Sequence, residues 1–138
     1  MTKFWIIGAA LLIAVATIAT AQVPIDDNYL RGAWVGEWTF YGVSGGTGSI
    51  VNRDTVTFKS DGKFERTVRA TNAPAAATTH QEGTYTINGN SIVIRGTYIG
   101  GNRSGQTTSI TLKASGETLE ATLLPPGGPV VVTYSKVK

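Results

Sequence analysis

The residues able to do bond-breaking chemistry are few and far apart. The single histidine, His80, lies in the Ala- and Thr-rich stretch TNAPAAATTHQ, and the chain contains no cysteine. Neither a thiol nucleophile nor a Cys/His metal set can be assembled around it. The carboxylates Glu37, Asp54, Asp61, Glu65, Glu82, Glu117 and Glu120 are dispersed, and no pair has the placement that general acid and base work needs. The glycine-rich GGTG and GGNRSG lack the strand-to-helix context of a phosphate loop and read as turns. The expectation is a chain with no catalytic role, no metal and no cofactor. Binding chemistry remains: RGAWVGEWTFYG places Trp34, Trp38 and Phe40 on alternate positions, and Arg66 interrupts the apolar face of KFERTVRA.

The elements that must position these residues follow from pattern. The N-terminal MTKFWIIGAALLIAVATIATAQ has a basic start at Lys3, an apolar run and a small-residue ending, Ala19-Thr20-Ala21. This is the layout of a cleaved secretory signal peptide over 1–21, which implies a secreted or periplasmic protein. An N-terminal extension over 22–32 and one domain over 33–138 follow. Without Lys3, 11 of the 12 basic residues face 9 acidic ones and are spread along the chain. Nucleic acid is therefore not expected as a partner, and no membrane span remains after cleavage.

The rest is rich in Thr, Val, Ile, Tyr and Gly and reads as all-β. Eight strands are expected at about 33–42, 53–59, 63–70, 82–88, 90–99, 106–114, 117–124 and 130–137. Two-residue loops at Asn88-Gly89 and Ser115-Gly116 would set Tyr85 opposite Ile92 and Leu112 opposite Leu119. A three-residue loop at Ser60-Asp61-Gly62, with Gly62 left-handed, sets Phe58 opposite Phe64 and Arg66 opposite Val56. The three hairpins agree on one apolar face. An eight-stranded antiparallel up-and-down barrel buries that face and removes exposed edges, with an open sandwich as the alternative. The connections 43–52 and 71–81 are the longest and are expected as mobile rims.

The segment LRGAWVGEW carries Gly32-Ala33-Trp34, which resembles the G-x-W motif opening the first barrel strand of lipocalins and the wider calycin group, avidins included. The closing TYSKVK is similar to the avidin-type last strand, where a basic residue, here Lys136 or Lys138, lies across that tryptophan. The chain is most similar to small bacterial exported domains called lipocalin-like. The resemblance implies structural roles for Gly32, Trp34 and Lys136, with Trp34 plugging one end of the barrel.

Trp38 and Phe40 then point toward the other end, as core or as pocket wall. Arg66 must be matched there. Its partner is either Asp54, two residues from Val56 on the same face, or the carboxylate of an amphipathic ligand held by the guanidinium fork; otherwise its stem reaches solvent at the barrel mouth. The expected ligand-binding set is Trp38, Phe40, Arg66, Tyr85 and Tyr98. Two function classes follow: a binding module for a small apolar or amphipathic molecule, and a solid barrel that engages a protein, as protease-inhibiting barrels do, through its loops and QVPIDDNYL.

Overall fold

The computed structural model describes residues 25–41, 49–72, 78–101, 103–125 and 128–138; the side chains of Phe40 and Tyr41 and the expected signal peptide lie outside the described residues. The strands are β1 (Gly32–Tyr41), β2 (Ser49–Phe58), β3 (Lys63–Ala70), β4 (Thr79–Asn88), β5 (Ser91–Ile99), β6 (Thr107–Ser115), β7 (Thr118–Leu123) and β8 (Val130–Lys136). They run in chain order around a closed barrel, every neighbour antiparallel. β1 meets β8 at Trp34↔Lys136 and Val35↔Ser135, which closes the sheet and excludes an open sandwich.

Period-two patterning explains why these segments are strands and which way they face. In β2, Asn52, Asp54, Val56 and Phe58 are buried while Arg53 between them is exposed. In β5 the buried positions are Ile92, Ile94 and Gly96. Side chains two apart share a face, so each strand offers one row to the interior. Two expected boundaries move. β2 begins at Ser49 and β4 at Thr79, so parts of the expected rims 43–52 and 71–81 are strand, while 42–48 and 73–77 lie outside the described residues.

The hairpin registers split in an informative way. The Ser60–Gly62 loop sets Phe58 opposite Phe64 as expected, with both Asp61 and Gly62 at φ 71°. The other two hairpins slip by two residues. The loops are Gly89-Asn90 and Gly116-Glu117, so Tyr85 faces Ile94 and Leu112 faces Ala121. In each the glycine comes first, at φ 64° and 62°, and the residue after it keeps a negative φ. That is the order of a II′-type loop, where only the first position needs a positive φ, rather than the I′ order with glycine second. A two-residue slip leaves side-chain parity unchanged, so the inward row is the expected one.

One element was not expected from composition. Residues Asp27–Leu30 form a single helical turn, α1, capped by Asp26, whose carboxylate accepts from the Tyr29 N–H at 2.9 Å. A turn this short does not persist alone and is held by burial. Leu30 is wholly buried in the core, the Tyr29 hydroxyl donates to the Gly116 carbonyl at 2.7 Å, and the Trp34 indole N–H donates to the Leu30 carbonyl at 2.9 Å. Beneath α1 lie Trp34, Phe58, Phe64, Ile92, Leu112 and Leu119, all at most 1% exposed. Asp26, three residues before Tyr29 and shortly before the apolar Leu30, is a sequence signal for such a cap. No helix among the described residues is long and apolar enough to cross a membrane.

Trp34 is 1% exposed whereas Trp38 is only half-buried. Trp34→Ala is therefore expected to cost about 3–5 kcal/mol, the range for deleting a buried aromatic. Trp38→Ala should cost clearly less, and urea melts of the two variants check the order.

Candidate ligand-binding site

Three inward positions in the middle of the barrel carry polar side chains: Asp54 on β2, Arg66 on β3 and Gln81 on β4. Asp54 is 0% and Arg66 5% exposed. The guanidinium grips the carboxylate with two donors, Nε to Oδ1 at 2.9 Å and Nη2 to Oδ2 at 2.7 Å. Its Nη1 donates to Gln81 Oε1 at 3.2 Å, and the Gln81 amide donates onward to the Gly96 carbonyl and Thr108 Oγ1. Asp54 Oδ2 also accepts from the Tyr134 hydroxyl at 2.9 Å and the Trp38 indole N–H at 3.2 Å. Together these side chains form a polar belt across the interior. Among the described residues, no buried side-chain nitrogen or oxygen is left without a partner.

The charge states follow from this pairing. Burial works against the Arg66 cation, but its hydrogen bonds to Asp54 and the field of that carboxylate outweigh it and hold the group more firmly protonated than usual. Burial, then the Asp54 charge, pushes the Tyr134 phenol far above its ordinary value. Tyr134 is thus a neutral donor and not a base. The belt as a whole carries no net charge.

Above the belt a cavity of about 1030 Å³ opens away from α1, at the upper limit of the usual size of small-molecule sites. Trp38, Asn52, Arg66, Val68, Tyr98 and Ile110 are among the residues lining it. The structure therefore brings Trp38, Arg66 and Tyr98 together. Arg103 stacks over the Tyr98 ring at 4.3 Å. The Phe40 backbone continues β1 opposite Ile50 toward the same end, and its side chain lies outside the described residues. Tyr85 is set apart. It packs edge-on against Phe58 at 5.1 Å, 7% exposed, and its hydroxyl donates to Asp27 at 2.9 Å under α1. Burial, then Asp27, raises its phenol pKa.

Gly32 enters β1 at φ 118°. Lys136 stands across Trp34, its ammonium 5.7 Å from the ring centroid and donating to the Tyr29 carbonyl at 2.8 Å, while Lys138 is exposed. The lipocalin-like domain family matches residues 30–120. The chain belongs to the lipocalin-like family. No curated protein and no solved structure matches it. Its fold is that of a family of binding modules, and within this lipocalin-like barrel the cavity occupies the end opposite the G-x-W tryptophan.

Sequence reasoning missed Gln81, Tyr134 and Asn52. Each could have been found by extending the inward row by two: from Gly83 to Gln81, from Lys136 to Tyr134, and from Asp54 to Asn52. His80 also needs correction, because it lies on β4 and not in a loop. The β3–β4 ladder sets Glu65 opposite Glu82, so these carboxylates are not dispersed in space. Donor atoms of Glu65, His80 and Glu82 lie within 4.8 Å of one another on the outer wall, a set able to hold a divalent cation. Glu65 is already paired with Lys59 at 2.6 Å, and His80 Nδ1 contacts Thr67 Oγ1 at 3.1 Å.

Two outcomes are expected. Removing either partner of the Asp54–Arg66 pair, as in Asp54→Leu or Arg66→Met, should cost about 3–5 kcal/mol, because a buried charge is left unmatched. The double variant should cost far less than the sum of the two, as read from denaturant melts. At alkaline pH, Tyr134 stays protonated when folded but ionises near pH 10 when unfolded. Its stabilising contribution is complete below about pH 10 and falls above it by up to about 1.4 kcal/mol per pH unit. Tyr134→Phe should flatten that decline in melts recorded across the range.

Proposed function

We propose that this lipocalin-like barrel is an exported, non-catalytic carrier or receptor for a small amphipathic molecule with an uncharged polar end. The observation that carries the reading is the cavity above a charge-neutral belt. Apolar walls from Val68, Ile110 and Leu123 suit a hydrocarbon part, and Trp38, Asn52, Tyr98 and Thr108 offer aromatic and hydrogen-bonding contacts. A ligand carboxylate has no claim on Arg66, because Asp54 already fills the guanidinium fork and would repel a second anion.

Residues 25–30 of the N-terminal extension are spent on the barrel's own end, through Leu30 and the Tyr29 and Asp27 hydrogen bonds. That weighs against using this segment to grip a protein partner. Export is supported by the basic start, apolar run and Ala19-Thr20-Ala21 of the N-terminus. Intact-mass measurement of material from the producing cell should give a chain beginning at Gln22; a retained 1–21 would overturn export with cleavage.

The binding reading is tested by titrating decanol and decanoic acid into the protein while following tryptophan fluorescence. A saturable change is expected for both, tighter for the alcohol, and it should be lost in Trp38→Phe because Trp34 lies beyond the belt. No saturable change with either compound overturns the reading.

A further inference from the structure

The β6–β7 junction is incomplete. Register pairs run only from Ser115↔Thr118 to Leu112↔Ala121. Both strands continue past that point, each attached only to its outer neighbour. β6 stays paired with β5 as far as Thr97↔Thr107, and β7 with β8 as far as Leu123↔Val130. Had the ladder continued, Thr111 would face Thr122 and Ile110 would face Leu123.

The lining of the cavity takes in both faces of the sheet beside this junction. A space confined to the barrel axis would touch only inward side chains. This one touches the inward Ile110, Ala121 and Leu123 and also the outward, exposed Ser109, Thr111 and Thr122. The β1–β8 junction is also short, with two register pairs, but it is shut. There the backbones approach so closely that a Cβ on Gly36 would stand 2.8 Å from the Thr133 carbonyl and from Val132 Cγ1.

We propose that the gap between β6 and β7 is the ligand's portal, and that the polar end of the bound molecule rests between its lips; this rests on the binding reading above. The lips match such an end. Ser109, Thr111 and Thr122 present hydroxyls, and Lys113 and Glu120 face each other in register with opposite charges, so the edge is polar without net charge. Strand edges without a ladder partner also need hydrogen bonds, which a hydroxyl- or carbonyl-bearing ligand supplies where a hydrocarbon cannot. Inside the gap the wall turns apolar at Ile110 and Leu123, and the ligand's hydrocarbon lies there.

The chain has no cysteine, so an introduced one is a unique handle. Thr111→Cys is alkylated with a bulky non-fluorescent maleimide, and the decanol association rate is followed by stopped-flow tryptophan fluorescence. Ser104→Cys, in the β5–β6 turn at the barrel's open end, and Thr86→Cys, on the outer face of β4, carry the same adduct. The adduct on Thr111→Cys is expected to slow association at least tenfold, with the other two within twofold of the unmodified protein. Thr122→Cys, on the facing lip, repeats the test if the first adduct lowers thermal stability. Slowing by the Ser104→Cys adduct alone would establish an axial mouth and overturn the portal. Equal rates for all adducts would overturn it while leaving the binding reading intact. Absence of a saturable signal in the unmodified protein overturns the binding reading and the portal with it.

Discussion

A carboxylate with no access to water stands at the middle of this barrel, and much of the architecture is arranged around it. Asp54 on β2 is satisfied by donors from three other strands: Trp38 on β1, Arg66 on β3 and Tyr134 on β8. Two of these strands, β1 and β8, form the closing junction, which has only two register pairs of its own. The carboxylate therefore links strands that the backbone ladder joins weakly. Such a pair adds little net stability over an apolar filling, because desolvating both charges offsets most of their attraction. What it supplies is position, since four donors of fixed geometry are satisfied in one arrangement of strands.

The belt also divides the interior into two unlike halves. On the α1 side, Trp34, Phe58, Phe64, Tyr85 and Leu30 are large enough to fill the space to close packing. On the other side, the inward rows continue with the smaller Asn52, Val68, Thr79 and Thr108 beside Trp38 and Tyr98, and the cavity lies among them. An eight-stranded barrel has a cross-section near the limit that side chains can fill, so several small residues in the inward rows are enough to leave room for a ligand. The hollow is thus a consequence of side-chain volume along the strands and needs no change in backbone architecture.

Under the proposed reading the buried polar groups serve to position strands rather than to react. The carboxylate and phenol that could have served as acid and base are locked into mutual hydrogen bonds, and Tyr134 is held in its neutral form. The group of Glu65, His80 and Glu82 lies on the outer face of β3 and β4, whereas on these two strands the cavity is lined by Arg66, Val68 and Thr79 of the inward rows.

The sequence by itself determined the class of fold, the strand count and which side chains face inward. Those follow from period-two alternation and from the positions of Gly, Asn and Asp in turns, both local properties. Even where the Gly89 and Gly116 hairpins slipped by two residues, parity survived and the inward row was unchanged. The pairing of Arg66 with Asp54 was legible as one of several possibilities, because the correctly read Ser60–Gly62 hairpin puts them on one face two positions apart. Only the tertiary structure decided among those possibilities. It also decided that Gln81 and Tyr134 complete the belt, that Tyr85 belongs with the filled end, that α1 forms at all, and that β6 and β7 part company. Each of these depends on contacts between residues distant in the chain, and closing a sheet into a barrel sets their separation through stagger and strand length, which no local pattern encodes.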